Sequence, residues 1–150
     1  PQSGAMGYGV PAAIAAKAAF PDRTVICFAG DGDFQMTCQE LATAAQAEIF
    51  PIILIVNNAT YGTIRVHQEK NYPGRVSCTD IINPDFIGLA QSFGFLGISV
   101  KTTDEFSSAF SQALSSENGA VLDLHVSYES LVPRHSLSEI RQMALNNQIG

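Results

Sequence analysis

Two short apolar runs, with a more polar segment between them, form the clearest pattern along this chain. The runs occupy residues 24–29 and 51–56, and neither alternates between apolar and polar positions. Short unalternating runs rich in β-branched residues are typical of strands buried on both faces of a parallel sheet. Residues 34–48 have the length and composition of a crossover helix. The pattern therefore predicts a β-α-β unit, with the carboxyl ends of both strands at one edge of the sheet.

The rest of the chain continues the alternation of helix and strand. Helices are predicted over residues 11–20, 61–71, 84–94 and 103–116, strands over 97–100 and 120–126, and a last helix from a capping box of Ser136 with Glu139. Thr103 is the predicted N-cap of its helix. Such alternation predicts an α/β fold, a doubly wound parallel sheet with helices on both faces. With 150 residues, of which 46% are hydrophobic, residues 1–150 are expected to form a single domain.

Polar residues that could bind a metal and a diphosphate follow each of the first two predicted strands. Asp31, between Gly30 and Gly32, follows the first run, and Asn58 follows the second. Because the carboxyl ends of parallel strands meet at one sheet edge, we expect Asp31 and Asn58 to become neighbours. The two glycines permit close approach of the backbone to a ligand, and the N-terminus of the next helix attracts anions. A carboxylate, an amide oxygen and a backbone carbonyl are enough protein ligands for Mg²⁺, which takes the remainder from phosphate and water.

These residues resemble the cofactor motif of the thiamine diphosphate-dependent enzymes, which runs from a Gly-Asp-Gly to a pair of asparagines. The segment 4–13 is similar to the one that grips the aminopyrimidine ring in acetolactate synthases. Residues 39–43 are similar to part of the helix that lies between the Gly-Asp-Gly and the asparagine pair in that group. The segment 57–62 is instead similar to benzoylformate decarboxylase. The resemblance covers the whole chain, most strongly residues 4–62, and implies the C-terminal, diphosphate-binding domain of a longer enzyme. Because the chain begins at the ring-gripping segment, we expect a fragment that lacks the first strand of the family fold.

For the metal and the diphosphate, the resemblance implies particular ligands. Asp31, the side chain of Asn58 and the backbone carbonyl of Thr60 would bind Mg²⁺. Asp33 and Phe34 would offer backbone N–H groups to the diphosphate. The family often has a small hydroxyl residue at the position of Asp33, so the role of this carboxylate stays open.

The resemblance also assigns residues to the two rings of the cofactor. Gly4 would present its carbonyl to the 4′-amino group and Met6 its N–H to the pyrimidine, while the Met6 side chain wedges the cofactor into a bent conformation. Tyr61, Gly62 and Ile64 would line the pocket beside the thiazolium. The complete set of implied cofactor-binding residues is Gly4, Ala5, Met6, Gly30, Asp31, Gly32, Asp33, Phe34, Asn58, Thr60, Tyr61, Gly62 and Ile64.

The activity implied by the resemblance is decarboxylation of 2-keto acids, transfer of the resulting acyl carbanion, or both, with thiamine diphosphate and Mg²⁺ as cofactors. In this family the activating glutamate belongs to the N-terminal pyrimidine-binding domain of a partner subunit, and Glu40 lies on the wrong side of the motif to replace it. We therefore expect no catalytic residue in this chain, no activity of the chain alone, and a homodimer or homotetramer as the intact enzyme. The alternative is a non-catalytic cofactor-binding module that needs a partner domain.

A dinucleotide-binding Rossmann domain is a further alternative. Gly30 and Gly32 fit its fingerprint, but Gln35 stands at the third glycine position and Asn57 stands where an acidic ribose ligand is wanted. Asp31 would also direct a carboxylate at the pyrophosphate, which is unfavourable without a cation. The metal-bridged interpretation is therefore preferred.

Several polar residues have a simpler, structural interpretation. A pair such as Asn57 and Asn58 is by itself typical of a turn, and Asn57 is expected to be structural. His67 and Gln68 lie where substrate-facing residues occur in this family, but a solvated helix face is the default explanation. His125 has no metal-ligand spacing to the other histidines and is expected to lie in a strand.

Charge and cysteine content limit the partners and the compartment. A net charge of −6, with only eight Lys and Arg residues, argues against a nucleic-acid partner. No apolar stretch of the sequence is long enough to cross a bilayer, so no membrane partner is expected. Cys27, Cys38 and Cys78 are far apart and odd in number, which favours free thiols and a cytoplasmic location.

Overall fold

The computed structural model describes residues 4–148, in which helices and strands alternate as the sequence predicts. The elements in chain order are α1 (Gly9–Ala19), β1 (Ile26–Gly30), α2 (Asp31–Gln35), a 3₁₀ helix (Cys38–Glu40), α3 (Leu41–Gln46), β2 (Ile52–Asn57), α4 (Gly62–Asn71), α5 (Phe86–Ser92), β3 (Leu96–Val100), α6 (Thr103–Ser115), β4 (Ala120–His125) and α7 (Leu137–Gln148). Most boundaries fall within two residues of the predicted ones; the crossover helix is the exception.

The described residues divide into two compact units. The first unit contains residues 4–57 and 83–125, and the second contains residues 58–82 and 126–148. All four strands belong to the first unit. The expectation that residues 1–150 form a single domain of a longer enzyme stays a prediction.

The sheet of the first unit is parallel throughout, with strand order β1-β2-β4-β3. Ile26 lies opposite Ile52, and Ile52 and Leu96 both lie opposite Ala120. Parallel pairing requires a crossover between consecutive strands, and each crossover contains at least one helix. The predicted α/β fold with a parallel sheet is confirmed.

Helices cover both faces of this sheet. On one face α1, α3 and α5 pack against alternate strand residues in a core that contains Val10, Ala13, Ile14, Cys27, Ala29, Leu41, Ala44, Ile53, Ile55, Phe86, Ala90 and Val121. On the other face α6 packs against the intervening residues in a core of Ile52, Leu54, Val100, Ala109, Ala113, Ala120 and Leu122. This two-sided packing confirms the doubly wound arrangement, because the two cores take opposite sets of alternating strand positions.

Burial on both faces is confirmed for β2 but was wrong for β1. Residues 52–55 of β2 are buried at every position. In β1, Cys27 and Ala29 are buried, whereas Ile26 is 41% exposed and Phe28 is 71% exposed. β1 lies at an edge of the described sheet, and α6 covers β3 and β4. An apolar sequence shows that residues can be buried, but the fold decides whether a helix covers them.

The predicted crossover helix over 34–48 was also wrong, because the structure divides it into three pieces. α2 begins earlier, at Asp31, and the backbone leaves the helical conformation at Thr37, which has φ −140° and ψ 20°. The Thr37 hydroxyl donates to the carbonyl of Gly7 at 3.1 Å. This bond ties the non-helical residue at the interruption to the N-terminal segment.

Side-chain caps define the starts of α6 and α7. Thr102, rather than the predicted Thr103, is the N-cap of α6, and it forms a capping box with Glu105. The predicted capping box at Ser136 is confirmed. The Ser136 N–H donates to Glu139 Oε2 at 2.7 Å, and the Glu139 N–H donates to Ser136 Oγ at 3.2 Å. Such reciprocal bonds satisfy backbone donors that the helix itself leaves free.

The second unit is organised around a buried carboxylate. Val66 of α4 packs with Leu137 and Ile140 of α7, and Glu69 of α4 is fully buried nearby in the same unit. Glu69 accepts hydrogen bonds from Arg141 Nε at 2.8 Å, from the Gly74 N–H at 2.9 Å and from Arg65 Nε at 3.3 Å. These bonds connect α4, α7 and the segment after α4, and those from Arg141 do most to lower the Glu69 pKa to about 2.

Candidate functional site

Asp31 lies at the carboxyl end of β1, where the strand passes directly into α2. Only 2% of its surface is exposed. Oδ1 accepts a hydrogen bond from the Gly32 N–H at 2.9 Å, and Oδ2 accepts one from Asn83 Nδ2 at 2.8 Å. Because both oxygens accept bonds from the protein, the orientation of this carboxylate is fixed.

Asn83 connects Asp31 to two further amides of the first unit. Its Nδ2 also donates to Asn57 Oδ1 at 2.8 Å, and its Oδ1 accepts from Gln35 Nε2 at 2.8 Å. Asn83 has no recognisable signal in the sequence, because it lies in an irregular segment whose positions carry no periodicity. Its place directly before Pro84 and the Asp85 cap of α5 is the only local signal of an ordered position.

The hydrogen bonds continue from Asn57 along the same edge of the sheet. Asn57 Nδ2 donates to Asp123 Oδ1 at 2.9 Å, and Asp123 Oδ2 lies 3.1 Å from His125 Nε2. The same His125 nitrogen lies 3.2 Å from Ser99 Oγ. The side chain of Asn57 therefore bonds within the protein, which agrees with the structural role expected for it, and His125 lies at the exposed end of β4 as expected for a strand residue.

The open question of the Asp33 side chain has a structural answer. Its Oδ1 accepts a hydrogen bond from the Gly7 N–H, so the carboxylate holds the N-terminal segment against α2. The Thr37 hydroxyl donates to the Gly7 carbonyl, so both backbone polar groups of Gly7 are bonded to this region. Burial, and secondarily the charge of Asp33, raises the pKa of the Cys27 thiol to about 11, so Cys27 stays a neutral thiol.

The N-terminal residues expected near the pyrimidine line one cleft of the first unit. Gly4, Ala5 and Met6 form part of its wall together with Asp33. The remaining wall is formed by Tyr8, Gly9, Ala12, Ala13, Ala16, Val25, Ile26, Cys27 and Phe28. The wall is largely apolar and carries one carboxylate, a composition that suits an uncharged aromatic ring.

Phe34 joins the expected diphosphate segment to the core of the first unit. Its side chain is fully buried and lies edge-to-face with Phe86, with ring centroids 5.4 Å apart. Gly30, Asp31, Gly32 and Asp33 directly precede it, in the strand end and the first turn of α2. The structure therefore brings this part of the expected site together on a backbone anchored by Phe34.

The expected ligands Asn58 and Thr60 lie in one tight turn of the second unit. Asn58 Oδ1 accepts a hydrogen bond from the Thr60 N–H at 3.0 Å, and Ala59 between them has a positive φ of 54°. The Thr60 hydroxyl donates to the carbonyl of Thr79 at 2.8 Å, and the Tyr61 N–H donates to that same carbonyl at 2.8 Å. The turn is thereby fixed to the segment that follows α4.

The other expected residues of the second unit begin α4. A Cβ atom on Gly62 would lie 2.9 Å from Leu131 Cδ2 and 3.3 Å from Asn58 Nδ2, so a larger residue there would require these two side chains to shift. Ile64 is half exposed. Gln68 binds Ser77 through both a donor and an acceptor bond, at 2.8 and 3.1 Å, and His67 is exposed. Gln68 therefore orders the segment after α4.

Within residues 4–148, no cluster of three or more His, Cys, Asp or Glu side chains could hold a metal ion. The three cysteines are free, as expected. None of the described helices is both long and apolar enough to cross a membrane.

Comparison with known proteins matches this chain to a family model. Residues 2–124 match the model described as thiamine pyrophosphate enzyme, C-terminal TPP binding domain. The acetolactate synthase large subunit of Haemophilus influenzae is 41% identical over 150 residues, which cover 98% of this chain and 26% of that protein. Acetolactate synthase isozyme 3 large subunit of Escherichia coli is 41% identical over 112 residues, covering 74% of this chain and 20% of that protein.

A solved structure gives a similar result. The thiamine diphosphate-dependent 4-hydroxybenzoylformate decarboxylase of Rhodococcus jostii RHA1 matches with a TM-score of 0.78 and 36% identity, over 85% of this chain and 24% of that one. The chain thus spans about a quarter of the length of the proteins that these comparisons match to it.

Proposed function

Because this chain belongs to the thiamine pyrophosphate enzymes, as their C-terminal TPP binding domain, we propose that it holds the metal and diphosphate end of that cofactor in a 2-keto acid decarboxylase or synthase. Thiamine pyrophosphate is the cofactor of this domain family, so the resemblance inferred from the sequence is confirmed. The observation that carries the proposal is the buried, doubly hydrogen-bonded carboxylate of Asp31 at the carboxyl end of β1. The dinucleotide alternative loses its basis, because the family match includes that strand end.

The donor set fits a hard divalent cation such as Mg²⁺. Asp31 would supply a carboxylate oxygen, Asn58 an amide oxygen and Thr60 a backbone carbonyl, which are ligands that Mg²⁺ prefers. Asn58 Oδ1 already accepts the Thr60 N–H. A carbonyl oxygen has two lone pairs, so this bond orients Asn58 and leaves capacity for a cation.

The remaining expected residues would hold the organic part of the cofactor. Asp33 and Phe34 would donate backbone N–H groups to the diphosphate, while Gly4 and Met6 would bind the pyrimidine in the cleft they line. The Asp33 carboxylate contributes by holding Gly7, which keeps the N-terminal segment beside that cleft. When bound, thiamine pyrophosphate supplies the electron sink that makes decarboxylation next to a keto group possible.

The substrate class follows from what the similar proteins share. One relative is named for acetolactate synthesis and the similar structure for decarboxylation of 4-hydroxybenzoylformate, which is a 2-keto acid. We therefore infer a 2-keto acid substrate for the whole protein, with this chain contributing cofactor binding. The activating glutamate would come from an N-terminal domain of a partner subunit, in a homodimer or homotetramer. Free thiols at Cys27, Cys38 and Cys78 support a reducing compartment such as the cytoplasm.

Calorimetric titration of the full protein that carries this chain tests the proposal. Wild-type protein should bind thiamine diphosphate only when Mg²⁺ is present, and Asp31→Ala should lose most of this metal-dependent binding because a charged ligand is removed. Asp22→Ala, which removes an exposed carboxylate from the turn before β1, is the matched control and should bind normally.

Two results would contradict the proposal. Binding that needs no metal, or that survives Asp31→Ala unchanged, would remove Asp31 from the ligand set. Absence of carbon dioxide release from any 2-keto acid by the loaded wild-type protein would instead favour the non-catalytic cofactor-binding module.

A further inference from the structure

We propose that Asn83 is a positioning residue for the metal ligand Asp31, acting through a directional chain of amide hydrogen bonds along the carboxyl edge of the sheet. This inference rests on the proposed function, because it assumes that Asp31 binds the metal. It adds Asn83, Gln35 and Asn57 to the site as residues that orient a ligand without touching the cofactor.

The direction of each hydrogen bond in this series of side chains is determined by the carboxylates at its two ends, Asp31 and Asp123. A carboxylate, such as those of Asp31 and Asp123, accepts hydrogen bonds and has no N–H group to donate. Asn57 donates its Nδ2 to Asp123, so the Asn57 Oδ1 is left as the acceptor that faces Asn83. Asn83 must therefore present its Nδ2 group to both Asn57 and Asp31.

Gln35 completes the assignment from the opposite side. Its Nε2 donates to Asn83 Oδ1 at 2.8 Å, which is possible only when the Asn83 nitrogen points at Asp31 and Asn57. Rotating the Asn83 amide by half a turn would set its oxygen against the Asp31 carboxylate and its NH₂ group against the Gln35 NH₂ group. The four side chains consequently allow one arrangement, in which Asn83 holds Oδ2 of Asp31.

The main chain fixes Asn83 as well. Pro84 follows it directly, and the next residue, Asp85, caps α5 by accepting from the Ile87 and Gly88 N–H groups at 3.1 and 3.0 Å. Asn83 thus extends from the start of a helix whose Phe86 is anchored in the core. A donor on so rigid a base can keep the carboxylate in one rotamer, which lowers the entropy lost when a cation binds.

The experiment measures metal affinity directly, with Mn²⁺ as the probe. The full protein that carries this chain is titrated with Mn²⁺ in the presence of thiamine diphosphate, and free Mn²⁺ is read by electron paramagnetic resonance. Asn83→Ala should weaken Mn²⁺ binding about 10- to 100-fold, the usual effect of losing an outer-shell partner. Gln91→Ala, an exposed amide of α5 outside the chain of bonds, is the control and should bind as the wild type does.

A second readout separates positioning from general damage to the fold. Excess Mn²⁺ should restore thiamine diphosphate binding to Asn83→Ala but not to Asp31→Ala, because the first variant keeps the ligand and loses only its orientation. Gln35→Leu, which removes the donor to Asn83 Oδ1, should show a smaller weakening of the same kind. If circular dichroism shows that Asn83→Ala is unfolded, Gln35→Leu serves as the test variant in its place.

The outcomes distinguish this inference from the proposed function. Wild-type affinity for Mn²⁺ in folded Asn83→Ala, or in Gln35→Leu where that variant carries the test, would overturn the positioning role while Asp31→Ala still abolishes binding. If Asp31→Ala itself binds Mn²⁺ normally, the metal assignment fails and the positioning role fails with it.

Discussion

Glu69 shows how much one buried charge can organise. Its carboxylate is fully buried and accepts bonds from Arg141, Arg65 and the Gly74 backbone. Removing one partner of a buried ion pair costs about 3 kcal/mol, because the other charges lose their compensation. Glu69→Gln should therefore lower the free energy of unfolding by about this amount in urea denaturation. Glu117→Gln, at an exposed position after α6, should leave it nearly unchanged.

The lowered pKa of Glu69 predicts that its contribution to the stability of the protein decreases at acidic pH. Hydrogen bonds from Arg141 lower the pKa of Glu69 in the folded protein to about 2, from an ordinary value of 4.5. A carboxylate with a lowered folded pKa stabilises the protein fully above pH 4.5, and this contribution is lost as the pH falls towards 2. The stability difference between wild type and Glu69→Gln should shrink over that interval. A constant difference would show that Glu69 acts through packing alone.

At the scale of helices and turns, the free-energy cost of replacing a glycine by alanine has two separable parts, backbone strain and steric overlap. Gly119, in the turn before β4, has φ +57°, and a Cβ atom there would lie 2.5 Å from the carbonyl oxygen of Pro51. Gly94, in the turn before β3, has φ +84°, and a Cβ atom added there would have no other atom within 4 Å. Both substitutions to alanine impose backbone strain of about 1 kcal/mol, but only Gly119→Ala also forces two backbone segments apart.

Gly119→Ala should consequently destabilise the protein by about 2 kcal/mol more than Gly94→Ala, because small-to-large changes at a closed site cost about 1 to 3 kcal/mol. The midpoints of urea denaturation of the two variants provide the comparison. Equal losses for the two variants would mean that the chain near Pro51 yields without cost.

Elements were predictable from the sequence where local signals decide them. The apolar run at β2 and the capping box at Ser136 gave correct positions, because an unbroken apolar run and cap chemistry are local properties. The break at Thr37 was not predictable, because the contact that Thr37 makes there is with Gly7, thirty positions earlier. Asn83 escaped notice for a similar reason, since its partners Asp31 and Asn57 come from two different strand ends.

The candidate site was predictable mainly through a motif. The order and spacing of the motif residues indicate the cofactor from the sequence alone, and the family match agrees with that identification. The role of the Asp33 carboxylate could not be read from the motif, because this position departs from the family pattern. Its partner, the Gly7 backbone, lies 26 positions earlier and meets Asp33 only in the folded chain.

For the molecule as a whole, the uncovered face of β1 should promote self-association in solution. Ile26 and Phe28 point to the same face two residues apart, and Phe28 is 71% exposed. Adjacent exposed apolar side chains on an edge strand favour association with other chains. We expect the isolated 150-residue chain to self-associate as its concentration rises, despite a net charge of −6 that opposes it.

Phe28→Thr tests this expectation, because threonine keeps β propensity and removes the aromatic surface. Sedimentation velocity should show a lower average mass for this variant than for the wild type, with the free energy of unfolding changed by no more than about 0.5 kcal/mol because the ring is mostly exposed. Ile82→Thr, at a position 97% exposed in the second unit, controls for the general loss of apolar surface. An equal fall in mass for both variants would show that association does not depend on the face of β1. A fall confined to Phe28→Thr would identify that face as the surface through which the chain self-associates.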